Sequence, residues 1–146
     1  MHLVDLEPGD ARLVTELLPV LLELRPHLTP ESFAKIYDEG YQQGLRFLAA
    51  YDGPRCVGVA GWRFVTWTHG RKLYVDDLVT TASARSTGVG KSLLAELAAR
   101  ATKAGCSVLD LDSGVQRGDA HRFYFREGMH IASYHFARLL NGDVTS

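Results

Sequence analysis

The sequence predicts an α/β domain in the shape of a mixed, mostly antiparallel central sheet flanked by helices. Three observations carry that prediction. Apolar residues switch along the chain between alternation and helical spacing, turn residues separate the runs, and the runs follow the order β, α, α, three strands, α, β, α, β. At 146 residues, 46% hydrophobic and 23% charged, the chain has the apolar mass for one core. A single domain over residues 1–140 is therefore expected, with a polar tail over 141–146.

Each element has its own signal. Residues 2–6 alternate as a short strand, and Pro8, Gly9 and Asp10 turn the chain into a helix marked by Leu13, Leu17, Leu18, Leu21 and Leu24. Thr29 as N-cap, Pro30 at the first helical position and Glu31 in the first turn open a second helix that ends near Gly40 to Gly44. Residues 45–51 and 56–65 flank Asp52-Gly53-Pro54-Arg55, a hairpin turn. A second turn, Trp67 to Gly70, leads into a third strand over 73–81. Val89, Leu93, Leu94, Leu97, Ala98 and Ala101 share one face of a helix that Gly105 closes. A strand over 107–112, a short helix over 120–127 capped by Asp119 and stopped by Gly128, and a last strand over 129–140 complete the order.

Charge narrows the function. The net charge is −1 with no long run of either sign, so no electrostatic footprint for nucleic acid exists. No apolar stretch approaches the ~18 residues of a membrane span, and the N-terminus has no signal-like pattern. A cytoplasmic protein with no membrane partner is expected. Cys56 and Cys106 lie within apolar surroundings and read as buried thiols, and no two histidines stand at helical metal spacing, so no metal site is expected.

The stretch Ala84 to Ser92 reads ARSTGVGKS, and its last five letters resemble the end of a nucleotide P-loop. That loop needs glycine where this chain has Arg85, at the point where the backbone turns to wrap phosphates. The dinucleotide pattern G-x-G-x-x-G fails as well, because its third glycine would fall at Leu93. What remains is Arg85-x-x-Gly88-x-Gly90 at the start of a helix. Unpaired N–H groups and the positive end of the helix dipole suit a pyrophosphate there.

With the strand LYVDDLVTT at 73–81 before it and Phe123-Tyr124-x-x-x-Gly128 after it, this motif resembles the GNAT superfamily of acyl-CoA-dependent N-acetyltransferases over nearly the whole chain. The resemblance implies the GNAT fold and acetyl-CoA as cosubstrate. It further implies that Arg85 and the backbone of Ser86, Thr87, Gly88, Val89, Gly90 and Lys91 hold the CoA pyrophosphate, with the Ser92 hydroxyl as a further donor. A backbone N–H among Leu78, Val79 and Thr80 would polarise the thioester. Tyr124 would protonate the departing thiolate; the alternative for Tyr124 is a core residue beside Ala120 and Phe123. Many relatives have an asparagine that contacts the cofactor where this chain has Asp112-Ser113-Gly114; either that contact is absent here or Ser113 replaces it.

Asp76 and Asp77 precede that region of the strand, and similar acidic pairs in this strand occur in relatives that act on polyamines and other primary amines. Alternation sends adjacent side chains to opposite faces unless a bulge intervenes, so one of the two is expected to face the acceptor, with Asp76 favoured. The segment from Val115 to Gly128 is similar to aminoalkylphosphonate N-acetyltransferases. That implies a small primary amine as acceptor, with Arg117 or Arg122 available to an anionic group on it. Peptide or protein acetylation and a non-catalytic CoA-binding role stay open as alternatives. His121 reads as packed or surface-facing, Trp62, Phe64 and Trp67 as groove or core, and Tyr37 and Tyr41 as acceptor wall or core. The resemblance also leaves open a homodimer through the C-terminal strands, where Tyr134, His135 and Phe136 would serve an edge or the core.

Overall fold

The computed structural model describes residues 1–141. The polar tail expected over 141–146 lies, apart from Asn141, outside the described residues. The chain forms two compact units, Met1–Asp110 and Leu111 onward.

In the first unit β1 (His2–Leu6), β2 (Arg46–Asp52), β3 (Arg55–Trp67) and β4 (Gly70–Thr80) form an antiparallel meander in sequence order, and β5 (Val108–Leu111) follows β4 in the sheet. Between β1 and β2 come a π-helical turn (Leu13–Leu17), α1 (Leu18–Leu21) and α2 (Pro30–Gln42). The long helix α3 (Val89–Lys103) stands between β4 and β5.

The meander buries both faces. Leu6, Leu17, Leu18, Leu21, Phe33, Tyr37, Phe47, Val59 and Val79 form the cluster that α1 and α2 cover. On the other face, Gly58 approaches Val89 and Leu93 of α3 so closely that an added Cβ would lie 2.5 Å from Val89 Cγ1. One face thus belongs to α1 and α2, the other to α3.

The first helical segment departs from the regular helix expected. The Leu18 N–H bonds Leu13 O, a step of five residues, before α1 begins with Pro19 in its first turn. Proline has no N–H to donate to Thr15 and its ring crowds that carbonyl, so the wider turn relieves the position. The α2 start is as read from the sequence: Thr29 Oγ1 accepts from Ser32 N–H, and Ser32 Oγ accepts from Thr29 N–H.

Tyr37 is packed within the core, 1% exposed, and its hydroxyl donates to Leu6 O at 2.7 Å and accepts from Phe47 N–H at 3.2 Å. It ties α2 to β1 and β2 and is therefore a structural residue. Replacing it with phenylalanine orphans a buried carbonyl and a buried N–H and is expected to cost about 1–3 kcal/mol, measured by urea unfolding. Burial also pushes the Tyr37 phenol up to about 12. Because the folded value lies above the unfolded one, its contribution is intact below the unfolded value of ~10 and is lost as pH rises through the folded one.

Two expectations are corrected here. Residues 129–140 form no strand; among the described residues no ladder partner pairs with them, and Tyr134, Phe136 and Leu140 are exposed. Their β-like composition is local, and a strand needs an edge to bond. Asp119 does not cap α4 (Gly118–Arg126): the N-cap is Arg117, and Asp119 instead pairs with Arg122 one turn along. Of the two thiols, Cys56 is buried as expected and Cys106 only half-buried; both are free.

Candidate active site

The glycine loop follows a 3-10 turn, Ala82–Ala84, at the end of β4. Gly88 caps α3 with φ of 89°, and Ser86, a non-glycine, also holds a positive φ of 65°. Left-handed backbone at both positions curls the loop, which packs Ala84 and Val89 inward and leaves Arg85, Ser86, Thr87 and Gly88 exposed. No side chain caps α3, and its first internal bond runs from Ser92 N–H to Gly88 O. The N–H groups ahead of it are therefore open to an anion.

The loop therefore fits a pyrophosphate: backbone donors, Arg85 and Lys91 outward, and nothing within 4 Å of where a Gly88 Cβ would stand. Val79 and Val89 are buried, so only their backbones are available to a ligand. Gly88→Val would force a β-branched residue into left-handed backbone and place its side chain over the donors. A rise of ~10-fold in the KM for acetyl-CoA, equivalent to about 1.4 kcal/mol, is the expected result of a steady-state titration.

Glu23, which the sequence did not single out, fixes the approach to this loop. Its Oε2 accepts from Thr81 Oγ1 at 2.5 Å and its Oε1 from Ala82 N–H at 3.0 Å. One carboxylate thus pins the end of β4 to the segment after α1.

The acidic pair sits on a β-bulge. Gly61 pairs with Asp77 and Trp62 with Val75, so Asp76 is the extra residue. A bulge of this kind lets neighbouring side chains share one face. Asp77 Oδ2 lies 3.5 Å from the Cβ position of Gly61, on the face of Phe47, and Arg63, two residues along β3 from Gly61, holds Asp76. Both carboxylates therefore face the side covered by α1 and α2, and the expectation that alternation separates them is corrected.

Each carboxylate has its own arginine. Arg63 grips Asp76 with a two-pronged fork, Nε to Oδ2 at 3.0 Å and Nη2 to Oδ1 at 2.9 Å. Arg25, in the segment between α1 and α2, brings Nε and Nη2 to the single oxygen Oδ1 of Asp77, both at 2.8 Å. Burial raises the Asp76 carboxyl above its ordinary range; the Arg63 bonds oppose that shift and the neighbouring Asp77 charge adds to it.

The second unit carries Tyr124 on α4. Burial raises its phenol, while the charge of Arg117 and its hydrogen bond to Tyr124 pull the other way. Phe123 packs edge-on against Tyr124 with ring centroids 5.6 Å apart. Ser113 Oγ is a buried hydroxyl with no hydrogen-bond partner among the described residues, an orphan that a polar group of a bound cofactor would satisfy. His121 Nε2 lies 2.9 Å from Gly114 O, which occupies that ring nitrogen locally.

Within the first unit, then, the structure brings Asp76 and Asp77 to one face and follows Leu78, Val79 and Thr80 with the 3-10 turn and then the curled loop. The partners Arg25, Arg63 and Glu23 had no signal in the sequence, because each reaches its mate across 13 to 58 residues of chain.

Comparison with known proteins points to one family. The acetyltransferase (GNAT) family profile matches residues 12–129. An uncharacterized N-acetyltransferase of Bacillus subtilis is 37% identical over 126 residues, covering 84% of this chain and 89% of that protein. An aminoalkylphosphonate N-acetyltransferase of Salmonella typhimurium is 35% identical over 66 residues, which is 45% of this chain and 43% of that protein. Among solved structures, an aminoglycoside N-acetyltransferase in complex with CoA superposes with a TM-score of 0.82 at 14% identity, over 96% of this chain and 94% of that one. That likeness concerns the fold. With the profile spanning most of the chain and the curled, uncapped loop at the head of α3, the protein belongs to the GNAT family of acetyltransferases, enzymes whose acyl donor is acetyl-CoA.

Proposed function

We propose that the protein transfers the acetyl group of acetyl-CoA directly to the primary amine of a small molecule, within a ternary complex. The observation that carries the acceptor side is the bulge at Asp76, which sets two carboxylates side by side on the α1 and α2 face. A primary amine arrives as an ammonium and must lose a proton before its nitrogen can attack. The pair, each member neutralised at rest by its own arginine, offers carboxylate oxygens to that ammonium, and Asp76, its carboxyl raised by burial, receives the proton through water.

The amine nitrogen then bonds to the thioester carbonyl carbon, whose oxygen is held by a backbone N–H among Leu78, Val79 and Thr80. The carbon–sulfur bond breaks, Tyr124 gives its phenolic proton to the departing thiolate, and the second proton, shed by the acylated nitrogen, restores the phenol through water. Arg85, the backbone from Ser86 to Lys91, and the hydroxyls of Ser92 and Ser113 hold the donor in place. The partial likeness to an aminoalkylphosphonate N-acetyltransferase supports a small amine over a peptide.

A panel of small primary amines, each incubated with acetyl-CoA and read by release of free CoA thiol, tests the proposal. Turnover of at least one amine, with the acetylated product seen by mass spectrometry, is expected. Tight CoA binding without turnover of any amine would instead support the non-catalytic role.

A further inference from the structure

We infer that Arg25 is an internal competitor for the acceptor amine: its guanidinium occupies Asp77 in the empty site and must leave before the ammonium of a substrate can bind there. The inference rests on the acceptor position proposed above and adds the residue that sets acceptor affinity. It identifies the ligand class of Asp77 as an unbranched alkylammonium.

The two ion pairs differ in how easily they open. Arg63 belongs to β3, bonded on both sides by β2 and β4, and its fork engages both oxygens of Asp76. Moving it would break a bidentate pair held by the sheet. Arg25 stands outside regular structure, with its backbone N–H on Leu21 O, and both of its contacts converge on Asp77 Oδ1. Its side chain is 29% exposed, so a displaced guanidinium has solvent to enter.

Asp77 Oδ2 is oriented differently, toward Gly61. Phe47 fills the space that a Gly61 side chain would take, its Cε1 2.9 Å from that Cβ position, so Oδ2 is closed on that side and Oδ1, where Arg25 sits, is the oxygen a ligand must reach. An unbranched alkylammonium suits this setting, because its charge sits at the end of a slim chain and takes the place of the guanidinium at Oδ1. The charge balance points the same way. With both arginines seated the cluster is neutral, so a cation gains little by approaching until one leaves. Once Arg25 swings out, a single carboxylate is uncovered.

Such a competitor weakens the apparent affinity by the fraction of molecules in which it has moved aside. Removing it should therefore strengthen amine binding, whereas removing a residue that merely supports the site would weaken it.

The test uses the full chain, n-butylamine as probe, and the variants Arg25→Gln, Arg25→Lys and Arg25→Gln/Asp77→Asn. Amine binding is read by NMR of the arginine Nε–H groups and by titration, with no need for turnover. In the wild type, the Arg25 Nε–H signal should shift as butylamine saturates while that of Arg63 stays. Arg25→Gln should bind butylamine ~10-fold more tightly, Arg25→Lys should fall between, and the double variant should lose the gain. Acetyl-CoA affinity, unchanged in Arg25→Gln, reports an intact fold. An unmoved Arg25 signal at saturation, weaker or equal binding by Arg25→Gln, or no butylamine binding to any form would each overturn the inference. Failure of the acetyl-transfer reading would appear separately, as an absence of CoA release while amine binding persists.

Discussion

Tyr124→Phe is expected to lower kcat by ~10²–10³-fold while leaving the KM for acetyl-CoA nearly unchanged. The substitution removes one oxygen and keeps the ring that packs on Phe123, so stability should hardly move. In the proposed mechanism, what it takes away is the proton for the thiolate. An alkanethiolate is basic enough to leave slowly without help, and for that reason the loss is large but finite. The pH profile supplies a sharper reading. Burial keeps the Tyr124 phenol above its ordinary range, so the acid form persists through neutral pH and is depleted only in alkaline solution. The wild-type rate should fall on that alkaline side, and the phenylalanine variant should lack this limb. Equal rates for the two proteins at every pH would remove Tyr124 from the mechanism.

Gly58→Val is expected to damage both the fold and the site. A Cβ at Gly58 meets Val89 Cγ1 at 2.5 Å and Leu93 Cδ1 at 3.1 Å, and valine would add two methyl groups beyond it. Neither neighbour is a flexible side chain with solvent to move into, since both are buried. Overpacking of this kind costs about 1–3 kcal/mol, which for a chain of this size lowers Tm by roughly 3–10 °C. The damage should also reach the site. Val89 opens α3 immediately after the Gly88 cap, so relieving the clash shifts the helix end whose N–H groups are proposed to hold the phosphates. Thermal melting and acetyl-CoA titration on one preparation would show both effects. An unchanged Tm would mean that strand and helix are not packed as described.

The meander and α3 were legible because their signals are local. Thr29 and Ser32 lie three residues apart and form their cap without help from the rest of the fold. The glycine pattern likewise acts through its own backbone. The bulge was not legible, because Asp76 and Asp77 read as ordinary alternating residues until the pairing of Gly61 and Trp62 with β4 is known. Arg25 and Arg63 were hidden for a related reason: a charged residue in sequence is one of many, and only the fold selects its mate. Pro19 was a missed local signal, since its absent N–H already ruled out a regular turn. The segment 129–140 shows the opposite error, a strand-like composition with no ladder to join.

Direct transfer in a ternary complex is the central claim, and initial-rate kinetics with acetyl-CoA and an accepted amine varied together test it most directly. Double-reciprocal lines that intersect, with no acetylated enzyme detectable by intact-protein mass spectrometry when acetyl-CoA is present alone, are the predicted result. Parallel lines, accompanied by an acetyl group on the protein before amine is added, would contradict it.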